Sequence, residues 1–586
     1  MTTSKRGYEA MGAKTDKPRR RQVLSAALAM SMGAAGAWMM YLLLHNNQAY
    51  SGVLDTSVLF YEAQRSGILP KSNRIWWRGD SGMFDKTRDG RSLVGGYYDA
   101  GDTPKFGLPL AVAFTQIAWS LLDFGDGYNW DQTWRTKDAI KWATDYMIKC
   151  HTGEYEFYAQ VGNGEAEHGV WKRPEDMLWQ NHRVGYMVNK THPGSDVVGA
   201  TAAAMASASL VFKHSDPGYA KELVWRAQQL YHFGNSHQGF YSEQIPDAKI
   251  FYRSSQYKDD LAWGALWLHK ATGQRWYIDE AKKHIDGLLQ WTFPYHPTLD
   301  WNFVGHPVCL MLYKETREWK YKKCVEDFLD RWIGFPKTPR GLSYVRGHHH
   351  TSLRNNANAA MMAFAYAKDM QDLGESMHKA RRYECWALSQ INYMMGEGGR
   401  SFIVGYGNNF PKRPHHRGAS CPTTPGQCSW WQYGSDRYNP QVLTGALVGG
   451  PDTHDGYLDD RTNWIQSEVA LDYNAGLMGA LARIQTHVHR GGFNQCNYNG
   501  QGTQAGGLNK GALIGGIVLA LVAAVVGVSV FTIHRRRAAQ RSAEDASDAV
   551  VATSEVYEMA EEGTTTEAAT AETAETASQK ESEVVS

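Results

Sequence analysis

No one sign of charge dominates this chain. Over 586 residues, 61 Lys and Arg stand against 60 Asp and Glu, so no basic face of nucleic-acid-binding strength is expected of the body. Cysteine is scarce at seven positions, which excludes a small disulfide scaffold, and a hydrophobic content of 43% excludes disorder throughout and collagen-like chains. No fixed-period repeat is present, which argues against a solenoid. Convincing strands are few.

What is present begins with asymmetric ends. Residues 1–21 carry net +5 and residues 538–586 net −10. Residues 511–533 (GALIGGIVLALVAAVVGVSVFTI) hold no charge and are long enough, at about 1.5 Å per residue, to span the roughly 30 Å core of a bilayer as a transmembrane helix. Arg535, Arg536 and Arg537 follow directly, which puts the C-terminal side in the cytoplasm and the body outside. Residues 23–44 are also apolar behind a basic stretch. Ala35-Gly36-Ala37 suits a cleaved signal peptide, while the long N-terminal region suits an uncleaved anchor. The expected organisation is 1–45 a cytoplasmic basic segment plus signal peptide or signal anchor, 46–490 the body, 491–510 a Gly-rich stalk, 511–533 the membrane helix, and 534–586 a disordered acidic tail. The localisation expected is a plasma or secretory-pathway membrane with the body extracellular or lumenal. There the Asn189-Lys190-Thr191 sequon is open to an N-glycan. An odd number of cysteines leaves at least one over within the chain; Cys421 and Cys428, around a short Pro/Gly-rich loop, are the expected pair, and most of the others are expected as buried thiols.

The body reads as helices. Residues 108–124 and 197–212 are apolar nearly all round, the second with Ser195 or Asp196 as N-cap, and such helices must be covered on every side. Others are one-sided, as in 376–395, where Tyr383, Ala387, Ile391 and Met394 share a face opposite Lys379, Arg381 and Arg382. With 137–150, 219–233, 259–272, 276–291, 319–332, 356–369 and 466–487, about ten helices in two concentric layers are predicted: an all-α toroid.

Three turn-rich stretches carry side chains suited to chemistry. In GGYYDAGDTPKFGLPL, Asp99 and Asp102 sit just ahead of a buried helix, so both carboxylates can face one pocket where the helix dipole favours their ionised form. A hydrolase that activates water needs such a group. Between 401 and 433, His415, His416 and Arg417 precede Trp430, Trp431 and Tyr433, a mixture of polar donors and flat aromatic faces that suits sugar binding. No thiolate or second spaced ligand set accompanies these histidines, or His348-His349-His350, to make a zinc site. The third stretch, YLDDRTNWIQSEVALDYNA, holds Asp459 and Glu468, the latter among apolar neighbours that would raise its pKa and keep it protonated as a general acid.

Together these stretches resemble the family 9 glycoside hydrolases, the inverting endoglucanases and related cellulases. The matching pieces are GGYYDAGDTPKFGLPLAVAFTQIAWSLLDFG, WKRPEDM, PGSDVVGATAAAMASASLVF, DDLAWGALWLHKATG, TSLRNNANAA, SQINYMMG, SFIVGYGNNFPKRPHHRG and the Asp459, Glu468, Asn474 segment, in the family's order over about 50–485. The resemblance implies an (α/α)6 barrel with an open cleft for a β-1,4-glucan. By the same resemblance Asp102 is the catalytic base, Asp99 its partner in holding the water, and Glu468 the acid. Asp459 would orient the site, and His415 and Arg417 would bind sugar hydroxyls. His416, Arg354, Trp430, Trp431, Tyr433 and Tyr473 are counted with the substrate-binding residues. No cofactor is required. A structural calcium occurs in parts of the family, with ligands not placed here.

Inversion needs acid and base on opposite faces of the ring, about 6.5–9.5 Å apart. Departures from the family's pattern are Ala200 in place of a glutamate, His350 and Thr351 in place of Trp and Gly, and Glu397-Gly398-Gly399-Arg400 in place of a turn with Asn-Pro. The expected function is endo-β-1,4-glucan hydrolysis at a membrane. A glucan-binding receptor without catalysis, and the same chemistry on xyloglucan, mixed-linkage glucan or glucomannan, are the alternatives. No appended carbohydrate-binding module is present to hold crystalline cellulose.

Overall fold

The computed structural model describes residues 49–177, 183–290, 292–293, 296–347, 351–489, 496, 532–533 and 535–544. The chain divides into two compact units, 40–509 and the two ends, 1–39 with 510–586. In the second unit the described residues, 532–533 and 535–544, are helical and exposed. The apolar segment 23–44, nearly all of 511–533, the stalk residues 497–510 and His348-His349-His350 lie outside the described residues. Among the described residues, one helix is long and apolar enough to cross a membrane, Ser195–Phe212, and it is buried inside the protein.

Among the described residues, twelve helices of ten residues or more build the larger unit: α1 (49–64), α2 (Gly107–Asp123), α3 (Trp130–Cys150), α4 (Ser195–Phe212), α5 (Pro217–Ser236), α6 (Lys258–Thr272), α7 (Trp276–Ile285), α8 (Gly305–Thr316), α9 (Trp319–Gly334), α10 (Ser352–Asp372), α11 (Met377–Asn392) and α12 (Leu471–His489). The even-numbered helices pack each on the next, and α12 packs back on α2, closing an inner ring. Of the outer helices, α3, α5, α7, α9 and α11 each pack on the inner helix that precedes them. Helix α1 lies against α12 and α2, its Tyr61 hydroxyl donating to the Leu471 carbonyl (2.6 Å) and its ring meeting Phe114 edge-on.

Composition decides the layer. Helix α4 (SDVVGATAAAMASASLVF) is buried almost throughout, Ala200 included, and its small side chains let neighbours approach closely. A Cβ on Gly199 would stand 3.0 Å from the α6 backbone at Asp260. Outer helix α9 buries Tyr321, Val325, Phe328, Leu329 and Trp332 along one stripe and turns its lysines to solvent.

Several expectations are corrected. The N-cap of α4 is Gly194; Ser195 begins the helix, and its hydroxyl donates to Gly234 O (2.8 Å). Helices α1 and α8 were not anticipated. Helix α8 starts Gly-His-Pro without a local cap, and the backbone N–H of Val304 before it donates to the Asp259 carboxylate of α6 (2.7 Å), a partner that local sequence does not reveal. A small antiparallel sheet also stands beside the barrel. Its central strand β3 (Glu156–Val161) pairs with β1 (Lys105–Phe106), β2 (His151–Gly153) and β4 (Gly185–Asn189). Six cysteines are bonded as Cys309–Cys324, Cys385–Cys496 and the expected Cys421–Cys428, so Cys150 is the buried thiol.

Connections alternate in length. Short turns (124–129, 213–216, 273–275, 317–318, 373–376) take each inner helix to the next outer one, and long loops return to the following inner helix. A cleft therefore has material to form only at the N-terminal ends of the inner helices. Behind the first of these loops, Arg183 donates from Nε and Nη2 to both oxygens of Asp85 (2.5 and 2.9 Å), meets Glu167 (3.0 Å) and donates to the Thr103 carbonyl (3.0 Å). Lys105 reaches the same Asp85 (2.6 Å), and all four charged side chains are buried. Removing one partner strands the others in low dielectric, so Arg183→Met is expected to cost about 3–5 kcal/mol in urea unfolding. A loss under about 1 kcal/mol would contradict this account.

Candidate active site

A cavity of about 570 Å³ opens at the long-loop end. Its walls include Asp99, Asp102, Arg354, His415, Arg417, Trp430, Tyr433, Glu468 and Tyr473, nine of the twelve residues singled out from sequence. All but Arg354, which comes from α10, belong to the three turn-rich stretches, and these are sewn together by backbone hydrogen bonds. Leu471 N–H donates to Asp99 O (2.9 Å), Arg417 N–H to Gly101 O (2.8 Å), and His415 N–H to Ser467 O (2.9 Å). Gly101 packs so tightly that a Cβ there would lie 2.1 Å from the His415 carbonyl oxygen.

The two aspartates are not equivalent. Asp99 is buried, accepts a hydrogen bond from the Tyr252 hydroxyl, and has its other oxygen, Oδ1, without a protein partner. Burial, and then the charges of Asp472, Asp102 and Glu468, push its carboxyl well above the usual carboxylate range against the pull of that hydrogen bond. The ionised Asp99 expected from the helix dipole is thus opposed by desolvation. Asp102 is more open, with His168 Nε2 at 3.4 Å and an Arg417 guanidinium nitrogen at 4.0 Å.

Glu468 sits where the expected helix 466–487 breaks. A short helix, Trp464–Ser467, stops; Glu468 is extended; and α12 begins at Leu471. The Glu468 carbonyl accepts from Gly449 N–H (2.9 Å). Burial first, and the charge of Asp102 second, raise the Glu468 pKa to about 8 although Arg417 pulls it down. It therefore carries its proton at neutral pH.

His415 and His416 point opposite ways on extended backbone. His415 Nδ1 lies 2.7 Å from the Arg461 carbonyl, so that nitrogen holds the proton and Nε2 is left as the acceptor; burial lowers its pKa to about 4. Its ring stands edge-on to Trp171 (5.2 Å) and Tyr433 (6.2 Å). His416, expected to bind substrate, is turned into the core. Its Nε2 bonds the Gln64 side-chain oxygen (2.8 Å) and its Nδ1 accepts from Ala419 N–H (2.9 Å), so both nitrogens are spent. Gln64 in turn donates to Ala100 O (2.6 Å), which ties His416 to the aspartate loop.

Asp459 is also away from the cavity wall. Its carboxylate accepts the backbone N–H groups of Lys412 (2.8 Å) and Arg413 (3.0 Å), fixing the approach to His415. Trp431 is 64% exposed outside the cavity, with Arg437 over its ring. Arg354 spans Asp472 (3.0 Å) and Asp300 (3.3 Å). Sequence reasoning missed His168, Trp171, Tyr252, Trp301 and Trp464. Trp171 lies in the WKRPEDM piece and Trp464 in the third turn-rich stretch, so both carried a signal; His168 ends a short helix, Gly164–His168, and Tyr252 and Trp301 lie on loops, none of the three with a local pattern. Thr351, a departure already noted, lines the cavity at φ 63°. Among the described residues no group of three or more His, Cys, Asp and Glu is disposed to hold a metal ion, so no ligand set for a structural calcium is found there.

Comparison with known proteins points one way. The profile described as "Glycosyl hydrolase family 9" matches residues 50–481. Endoglucanase A of Bacillus pumilus is 40% identical over 451 residues, covering 74% of this chain and 66% of its own length, about two thirds. Endoglucanase 7 of Oryza sativa subsp. japonica is 38% identical, covering 74% of this chain and 89% of its own length. Among solved structures, the endoglucanase of the termite Nasutitermes takasagoensis superposes with a TM-score of 0.70 at 44% identity, covering 74% of this chain and 98% of that one. The cellulase Cel9M of C. cellulolyticum in complex with cellobiose gives 0.68 at 32%, covering 76% and 99%.

Two substitutions test the geometry. Gly101→Ala is expected to part the aspartate loop from His415 and lower kcat on a soluble glucan by about 100-fold or more while circular dichroism stays unchanged; wild-type kcat would refute the close contact. Thr351→Gly relieves a β-branched residue from the left-handed region and is expected to add about 1 kcal/mol of stability. A lower melting temperature would count against that reading.

Proposed function

The chain belongs to glycosyl hydrolase family 9 and is an endo-β-1,4-glucanase, and on that premise we propose that its cleft hydrolyses the glucan by a single displacement with inversion. Asp102 is the base. Asp99, held by Tyr252 with Oδ1 unpartnered, steadies the attacking water beside it. Glu468, protonated at neutral pH, gives its proton to the leaving glycosidic oxygen. The observation that carries this division of labour is the contrast in one cavity between the more open Asp102 and a carboxyl raised to about 8 by burial.

His415 Nε2 accepts a sugar hydroxyl, and Arg417, whose guanidinium lies over Trp171 at 5.2 Å, donates to others. Trp301, Trp430, Tyr433 and Trp464 supply flat faces along the walls for successive sugar rings, while the buried Trp171 backs Arg417 and His415. The substrate is a β-glucan chain of cellulose or a related polymer; bound cellobiose in Cel9M supports that class. Xyloglucan, mixed-linkage glucan and glucomannan are the variants to compare, given the departure at Thr351.

We further infer that the body works outside the cytoplasm, tethered through 511–533. Three disulfides in the body suit an oxidising compartment. Asn189, at the end of β4 with its Oδ1 accepting from the Thr191 hydroxyl (2.9 Å) next to exposed side chains, is the glycan acceptor.

Glu468→Gln and Asp102→Asn are each expected to reduce cello-oligosaccharide hydrolysis by about 10³-fold or more, with the fold intact. The anomer first released, followed by NMR, is expected to be α; a β product would sink the single-displacement mechanism. The alkaline limb of kcat/KM should fall near pH 8, the pKa of the acid. Stability follows the same proton. A carboxyl raised by folding contributes stability that is full below its unfolded value of about 4.5 and is lost as pH rises through about 8. Glu468→Gln is therefore expected to lose less melting temperature between pH 5 and pH 9 than the wild type.

A further inference from the structure

The end of the barrel away from the cleft has a composition that glucan hydrolysis does not explain. Outer helices begin there, just after the short turns, and three of them begin with tryptophan. Trp130 opens α3, Trp276 opens α7 and Trp319 opens α9, at 80%, 48% and 65% exposure. Met377 opens α11 at 56%. Exposed Arg275 and Arg317 stand one and two residues before two of these indoles. A cavity of about 320 Å³ opens at the same end, with an apolar lining that includes Trp119, Leu210, Trp267 and Met311, together with Lys270. Isolated exposed apolar residues need no explanation, but large aromatic ones repeated at the helix starts of one end, with cations beside them, have the makeup of a bilayer-interface contact.

The course of the chain keeps this end near a bilayer. Helix α12 starts beside the cleft and ends at His489, so the polypeptide leaves from the far end. The Cys385–Cys496 bond then holds it to the middle of α11. From there to residue 511 an extended chain reaches at most about 50 Å, so a body anchored at 511–533 stays within reach of the bilayer.

We propose that this tryptophan-bearing end rests on the phospholipid surface, with the indoles at headgroup level, Arg275 and Arg317 against phosphates, and the cleft directed away from the membrane. The proposal rests in part on the tethering inferred above, and the test separates the two. The full chain is reconstituted in phosphatidylcholine–phosphatidylserine vesicles carrying lipids brominated near the headgroup, beside a variant with Trp130→Phe, Trp276→Phe and Trp319→Phe. Turnover of a soluble cello-oligosaccharide is expected to be the same in both, which serves as the folding control. The emission difference between them reports the three indoles. Loss of most of that difference to bromolipid is the expected result. A difference quenched by aqueous acrylamide and not by bromolipid, or quenched only on adding microcrystalline cellulose, overturns the proposal. Alkaline carbonate extraction reads the anchor separately: a chain that stays with the vesicles without bromolipid quenching keeps its tether and loses the face. One that washes off while quenching was seen before extraction keeps the face and loses the tether.

Discussion

The site depends on one short-range constraint, the packing of the Gly101 backbone against the His415 carbonyl. It brings the aspartate loop to the 415–417 segment, which is bonded in turn to the stretch carrying Glu468. Each of these segments is irregular, and each leaves backbone groups that need partners on leaving water. Bonding to one another satisfies those groups and fixes Asp99, Asp102, His415, Arg417 and Glu468 in a common frame. Side chains behind the frame, Asp459 on the 412–413 backbone and His416 through Gln64 on Ala100, hold it from outside the cavity.

Within that frame, the carboxyls are told apart by solvent. Three carboxyls, Asp99, Asp102 and Glu468, share one cavity, and their mutual repulsion alone would not say which keeps a proton. Burial decides for Asp99 and Glu468, which are raised, and the more open Asp102 lies within reach of Arg417. The same low dielectric keeps His415 neutral, so that it offers an acceptor where a charged ring would offer only donors.

Much of this was legible in the sequence because it was local. The all-apolar and one-sided helices announced the inner and outer layers, and Asp99, Asp102, His415, Arg417 and Glu468 lay in short recognisable stretches. What failed did so for non-local reasons. Helix α8 is capped by a carboxylate from α6; the break before α12 follows from a Glu468 carbonyl given to Gly449; and His416 faces inward because extended backbone alternates its side chains. Asp459 looked like a cavity residue because it is acidic and close in sequence to Glu468, yet two backbone N–H groups claim its oxygens. The disulfides beyond Cys421–Cys428 join residues that only the folded barrel makes neighbours.

The ring closes through α12, the last of its helices in chain order, which docks on α2, the first of its inner ones. Glu468 stands directly ahead of that closing helix, whereas Asp99 and Asp102 belong to the opening part of the barrel. During synthesis the two aspartates to which water activation is assigned in our proposal thus precede by hundreds of residues the glutamate proposed as proton donor. On that proposal no barrel lacking its last helix holds both, and the closed ring is where the proposed acid and base can meet across a sugar. If those roles hold, competence to cut is tied to completion of the fold, and a nascent chain carries no cutting edge until its last helix is home.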